Sequence, residues 1–195
     1  LIADSYKVQG VIVSEANDPQ KTLDADMVVI SAGCHSSQVS AAVSRQVPIY
    51  PVKGYSLTAA LTNPNKAPVS TIHDDFYKVV STRLGNRLRA TGFMELCGFD
   101  RRIPNARLET IGRSVALRFP DCADLSKAEP WCGFRPMTPD GPAIIGRGSR
   151  ENLWFNTGHG TFGWTLSLGS AYLIAQLIDG ESPAVDVEAF RPDRF

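Results

Sequence analysis

Three stretches of this chain predict a mixed α/β (α+β) fold. Met27 to Ile30 is an uninterrupted apolar run, mostly β-branched, of the kind buried in a parallel sheet. From Gly54 to Met94 strand-like segments succeed one another around a Leu84 to Arg87 hairpin turn, which is the pattern of an antiparallel sheet. Asn152 to Ile178 then gives a short apolar strand, a loop with three glycines and a helix. In that helix Leu166, Leu168, Gly169, Tyr172, Leu173 and Leu177 recur at helical spacing and are expected to be buried.

The bulk composition bounds the function. A chain of 195 residues with 43% hydrophobic content can bury a substantial core, as one ordinary domain or pieces of two. Twenty basic residues balance twenty acidic ones, so no general field draws the protein to nucleic acid or an anionic membrane, and a small-molecule partner is expected. Cys34, Cys97, Cys122 and Cys132 form no Cys-x-x-Cys pair and read as reduced thiols of a cytoplasmic protein. No apolar run reaches the roughly 18 residues that span a bilayer. The chain opens on Leu1 and directly on strand-like sequence, which suggests a fragment or a processed form.

Taken in order, Tyr6 to Val13 alternates as a strand, Asn17-Asp18-Pro19 supplies a turn, and Thr22 to Asp26 returns as its partner. The buried run Met27 to Ile30 is closed by Ser31, Ala32 and Gly33, small residues that let a ligand approach the backbone, before a short helix from about Ser36 to Val43. Cys34 beside that helix start reads either as a reactive thiol or, in preference, as a small packed one. Pro48-Ile-Tyr-Pro51 marks a crossing into a second domain. Strands are expected over Gly54 to Thr62, Val69 to Ile72, Phe76 to Thr82 and Arg87 to Met94. A helix follows over Pro104 to Phe119, with Leu108, Ile111, Val115 and Phe119 on one face. Gly133 to Pro142 holds three prolines and two glycines around Arg135, which predicts a stiff segment of fixed turns, with Asp140 as a turn former. Ile144 to Gly146 is a brief strand, and Glu181 to Phe195 a polar tail over the surface. The domains so read are 1–47, 48–130 and 131–195, the last returning to the first.

The glycine loop carries the chemistry. Gly158, Gly160 and Gly163 permit positive φ and close approach to a flat or anionic ligand, and the loop opens into a helix N-terminus near Thr165 whose uncompensated N–H groups favour negative charge. A tight αβ turn with glycines for packing alone is the alternative. His35 and His73 lack the companions that metal ligation needs.

Four patches together resemble the C-terminal half of the D-amino acid dehydrogenase branch of the D-amino acid oxidase-like FAD-dependent oxidoreductases. They are Ala25-Asp-Met-Val-Val-Ile-Ser-Ala-Gly33, Tyr50-Pro-Val-Lys-Gly-Tyr-Ser-Leu57, Gly133-Phe-Arg-Pro-Met-Thr-Pro-Asp-Gly141 and Asn152-Leu-Trp-Phe-Asn-Thr-Gly-His-Gly-Thr-Phe-Gly-Trp-Thr165. The resemblance implies the C-terminal part of a FAD-binding Rossmann-like domain joined to an antiparallel-sheet substrate domain. It departs from the family at one point: the chain does not open on the βαβ unit whose Gly-x-Gly-x-x-Gly turn holds the FAD pyrophosphate. An N-terminal FAD-binding half is therefore expected as a missing partner, without which the chain is expected to be inactive.

The resemblance implies FAD as cofactor, held by Ser31, Ala32, Gly33, Lys53 and the loop Gly158, His159, Gly160, Thr161, Phe162, Gly163, Trp164 and Thr165. It makes Arg135 the ligand of the substrate carboxylate, with a structural salt bridge as the other reading. Tyr55 is a second carboxylate contact, a lid, or a core-edge tyrosine; Lys53 faces the flavin or solvent. His159 is expected to act through its backbone rather than as a general base. The implied reaction is oxidative deamination of a D-amino acid, with hydride passing from the α-carbon to flavin N5 and electrons going on to a quinone or other acceptor, in the cytoplasm or at the inner face of the cell membrane. The alternatives are a glycine or sarcosine-type amine oxidase using oxygen, and a non-catalytic fragment.

Overall fold

The computed structural model describes residues 1–14, 18–44 and 46–195. Asn17 of the expected first turn lies outside the described residues. In chain order the elements are β1 (Ile2–Ala3), β2 (Val8–Val13), β3 (Lys21–Asp24), β4 (Val28–Ile30), α1 (Ser36–Ala41), β5 (Tyr50–Ala60), β6 (Ile72–Asp74) and β7 (Val79–Leu84). They continue as β8 (Arg87–Leu96), α2 (Asn105–Arg118), β9 (Glu129–Met137), β10 (Ile144–Arg147), β11 (Leu153–Thr157) and α3 (Gly163–Asp179). The fold is mixed α/β, and it divides into two compact units, Leu1–Tyr50 with Arg135–Phe195, and Pro51–Phe134.

The first unit holds two three-stranded sheets, β1-β2-β3 and β10-β11-β4. The antiparallel pairing of β2 with β3 follows the expected meander, and Gly10 is needed there because an added Cβ would lie 2.5 Å from the Leu23 carbonyl oxygen. β4 pairs in parallel with β11, as its apolar run foretold, and β11 pairs antiparallel with β10. Val8, Val28, Ile30, Val43, Ile144, Leu153 and Phe155 form one core. Asn152 staples it: its buried side chain accepts from the Val8 N–H at 2.8 Å and donates to the carbonyls of Val8 at 2.7 Å and Asp26 at 2.9 Å. Backbone groups at the sheet margin that would otherwise be orphaned are satisfied by one carboxamide.

α3 differs from its sequence reading. It packs Leu173 and Ile174 against Ala143 and Ile145, but Trp164 and Leu168 are 95% and 84% exposed, and Leu166 and Tyr172 are exposed too. The helix is apolar almost all round, so periodicity could not tell which apolar side faces the sheet. The tail is expected surface chain, and the structure adds how it is held: Arg194 donates to Asp140 at 2.7 and 3.1 Å, so Asp140 anchors the tail as well as ending a turn.

The second unit is built on a five-stranded sheet of order β6-β7-β8-β5-β9. α2 begins after Pro104 and lays Ile111 and Val115 on a core with Tyr55, Leu57, Val79 and Leu88. Two strands lie later than the sequence suggests. Val69 is 98% exposed and outside any strand, and β7 starts at Val79 rather than Phe76. The cause is Asp74, whose carboxylate accepts the N–H groups of Phe76 and Tyr77 at 3.1 and 3.3 Å and turns the chain there. The stiff segment also differs: Gly133–Met137 continues β9, and Pro136 is tolerated because β9 is at a sheet edge.

Asp74 is buried and also accepts from Ser114 Oγ at 2.7 Å and from the Arg118 guanidinium at 3.2 and 3.3 Å. Arg118 first, then Ser114, holds this carboxyl far below the ordinary carboxylate range. A depressed folded-state pKa contributes stability that is present above the unfolded value of about 3.9 and is lost as pH falls below it. Asp74→Asn is therefore expected to flatten the fall in stability between about pH 5 and pH 3. Urea midpoints at the two pH values check this; an equal acid loss in variant and parent would refute it.

Candidate functional site

β4 and β11 run side by side in register, from Leu153 opposite Val28 to Phe155 opposite Ile30, so both chains leave the sheet at the same end. One exit carries Ser31, Ala32 and Gly33, and the other Thr157 and Gly158. Thr157 joins them, its Oγ1 lying 2.7 Å from Ser36 Oγ and donating to the Gly33 carbonyl at 3.4 Å. Gly33 turns with φ +55 into the short helical segment before α1. The carboxyl end of parallel strands is where open α/β sheets place ligands. Two separate groups of candidate cofactor residues thus meet at one sheet end. Thr157 lies within the Asn152 to Thr165 patch, but neither it nor Ser36 was singled out as a site residue from the sequence.

The loop beyond β11 uses its glycines individually. Gly158 has φ +74 and a Cβ there would lie 2.9 Å from Thr138 Cγ2; Gly160 has φ +57 and a Cβ there would lie 3.0 Å from Met137 Sδ. Both positions combine a left-handed backbone with a close neighbour, so a side chain is excluded twice. Gly160–Phe162 form one tight turn and α3 starts at Gly163, two residues before the expected Thr165, because Gly163 itself takes the right-handed helical conformation. The start of α3 has no side-chain cap and no acidic residue in its first turn. Its free N–H groups and the positive end of the helix dipole suit an electron-rich or anionic group. Thr161, Phe162, Trp164 and Thr165 are exposed around this point. A glycine cradle closed to side chains, ending on an uncapped helix, fits the pyrimidine edge of a flavin.

Arg135 lies on β9, and side chains two residues apart on a strand share a face. Arg135 and Met137 are such a pair, and Met137 is the residue whose sulfur abuts Gly160. The Arg135 position is about 7 Å along the strand from Met137, the residue that backs the glycine loop. Arg135 is half-buried, and burial pushes its pKa down from the ordinary arginine value, though a guanidinium stays charged in proteins. Met137 and Thr138, which back the loop, lie within the Gly133 to Gly141 patch but were not singled out as site residues from the sequence.

Two of the expected contact residues are buried. Lys53 and Tyr55 are each only 2% exposed, inside the second unit. The Lys53 ammonium donates to the carbonyls of Asp100 at 2.7 Å and Arg102 at 2.9 Å, clamping the loop before α2. The Tyr55 hydroxyl donates to Glu95, which also pairs with Arg107 at 3.3 Å. Of the readings open for Tyr55, burial favours the packed one; Lys53 does not face solvent. Sequence spacing cannot distinguish a lysine that faces a ligand from one buried on backbone carbonyls.

The His159 imidazole is half-buried, and burial pushes its pKa below the ordinary value, so the ring is neutral near pH 7. Burial pushes the Cys34 thiol up, which favours the packed thiol over the reactive one. Among the described residues no cluster of His, Cys, Asp and Glu could hold a metal ion, and no helix is long and apolar enough to cross a membrane.

The two sheets, the glycine loop and the uncapped helix are those of a flavin-dependent oxidoreductase, and the model of the FAD dependent oxidoreductase (DAO) family matches residues 2–177. The chain belongs to that family. Among its curated relatives, a D-amino acid dehydrogenase of Bradyrhizobium diazoefficiens is 45% identical over 195 residues, covering 100% of this chain and 45% of the relative. One from Neisseria meningitidis is 51% identical over 172 residues, covering 88% of this chain and 41% of the relative. The chain spans about half the length of the curated relatives it matches. Among solved structures, glycine oxidase from Geobacillus kaustophilus superposes with a TM-score of 0.77 at 28% identity, over 89% of this chain and 47% of the other.

Proposed function

We propose that the whole protein oxidises D-amino acids at the α-carbon, releasing a 2-oxo acid and ammonium after hydrolysis of the imine. The observation that carries this reading is the position of Arg135 on β9, two residues from the Met137 that backs the glycine loop. FAD, when bound, supplies the two-electron acceptor. Arg135 grips the substrate carboxylate through its planar fork and so orients the α-carbon. The N–H groups of Gly158 to Trp164 and the start of α3 present positive potential to the ring edge where negative charge gathers. Ser31, Ala32 and Gly33 line the same sheet end without side-chain bulk. His159 contributes through its backbone, since its neutral ring sits apart from any proton relay among the described hydrogen bonds. The pyrophosphate end of FAD falls to sequence outside the matched half of the relatives. A quinone or similar carrier takes the electrons onward, with peripheral attachment at the inner face of the membrane.

The curated relatives named D-amino acid dehydrogenase support the D-amino acid substrate. The likeness to glycine oxidase favours a second reading, oxidation of glycine or sarcosine with oxygen. Steady-state assays on FAD-loaded protein separate them. D-Alanine turnover with a dye acceptor and little peroxide is the expected outcome; fast peroxide release with sarcosine would replace the first reading by the second.

A further inference from the structure

The connection from β9 to β10, Thr138 to Ala143, is held from two sides. From within, Thr138 Oγ1 donates to the Pro142 carbonyl at 2.9 Å and accepts from the Gly141 N–H at 3.2 Å, closing a turn in which Gly141 has φ +98. From the tail, Arg194 donates to both carboxylate oxygens of Asp140, at 2.7 and 3.1 Å, and to the same Pro142 carbonyl at 2.8 Å. It also donates to the Arg191 carbonyl at 3.0 Å, and only 13% of its side chain is exposed. Arg194 holds the Asp140 carboxyl below its ordinary value, so the pair is ionised at neutral pH. One carbonyl oxygen thus receives a hydrogen bond from the tail and another from Thr138. Thr138 is 6% exposed, and its Cγ2 lies 2.9 Å from where a Cβ on Gly158 would stand.

We infer that Arg194 is a positioning residue for the glycine loop: by fixing the Asp140 to Pro142 turn it seats the Thr138 methyl against Gly158, and so sets the loop conformation on which flavin affinity depends. Gly158 needs such an outside constraint. A glycine takes either sign of φ with little cost, so its φ of +74 is not selected by the residue itself. The methyl supplies the selection by contact, and a gap of about 0.5–1 Å already forfeits a quarter to a half of such a contact. A small shift of the turn is therefore enough to release the loop. The guanidinium suits the task because its planar fork engages a carboxylate and a neighbouring carbonyl together, which a single ammonium does poorly. The step to flavin rests on the proposed reading of this loop as the cofactor seat; the link from Arg194 to Gly158 does not.

The test uses the whole protein, isotope-labelled at glycine, first free of flavin and then titrated with FAD. Arg194→Ala is expected to move the Gly158 amide NMR signal in the flavin-free protein and to weaken FAD binding about tenfold. Arg194→Lys is expected to restore part of both. Thr138→Val keeps the methyl and loses the hydroxyl; combined with Arg194→Ala, its effect on the Gly158 signal and on FAD affinity is expected not to add. Arg191→Ala is the control, since that side chain bonds only Glu188 and Asp193, and both readouts are expected to stay at the parent level. A Gly158 signal unmoved by Arg194→Ala, an equal shift from Arg191→Ala, or fully additive losses in the double variant would each overturn the positioning role. Unchanged FAD affinity beside a moved Gly158 signal would overturn the step to flavin. D-Alanine turnover is a separate readout: its absence with FAD bound removes the proposed reaction and leaves this inference standing.

Discussion

Arg135→Ala is expected to lower kcat/KM for D-alanine by about two orders of magnitude, the equivalent of about 3 kcal/mol, with the flavin spectrum unchanged. The size follows from the proposed role: a charge-assisted, two-pronged contact to a carboxylate at a half-buried arginine, where water cannot fully replace it. Arg135→Lys is expected to recover only part of it, because an ammonium supplies the charge without the fork. Most of the loss belongs in KM if Arg135 holds the carboxylate equally in ground and transition states. Kinetics that match the parent enzyme would remove Arg135 from the site, and a lost flavin spectrum would assign it to the cofactor instead.

Lys53→Ala is expected to destabilise the second unit by about 2–4 kcal/mol while leaving flavin binding intact. The substitution strips the ammonium from two carbonyls, those of Asp100 and Arg102, and leaves a space where a side chain 2% exposed had packed. Lys53→Met, which fills the space without restoring the hydrogen bonds, is expected to recover part of that loss. Denaturant unfolding of the three proteins provides the comparison. A flavin spectrum lost at unchanged stability would return Lys53 to the cofactor contacts that its motif first suggested.

Much of the fold was legible in the sequence because its signals are local. The apolar run at Met27 to Ile30 and the glycines after Thr157 specify a strand and a special turn whatever surrounds them, although Met27 and Val29 are exposed. α2 announced itself by Pro104 and one apolar face. Side-chain capture of the backbone was not legible in the same way. Asp74 moves two strand boundaries through its own carboxylate, and a β-pattern count over Val69 to Thr82 contains no trace of that capture. α3 was correctly placed as a helix, yet its uniformly apolar sequence hid which side is exposed. At the candidate site the loop and Arg135 carried motifs, whereas Met137, Thr138, Thr157 and Ser36 matter only through neighbours far along the chain.

The Asn152 staple also fixes an order of events during synthesis. Within the described sheets β4 pairs only with β11, and the carboxamide that seals β2 to the start of β4 is made more than a hundred residues later. Pro51–Phe134 is continuous in sequence and can close its own core as it emerges, while Leu1–Tyr50 has to wait for the last third of the chain. Such distant pairings make closure slow. The edge of β4 that takes β11 consequently stays open until that third emerges, and a chaperone would meet it in that state.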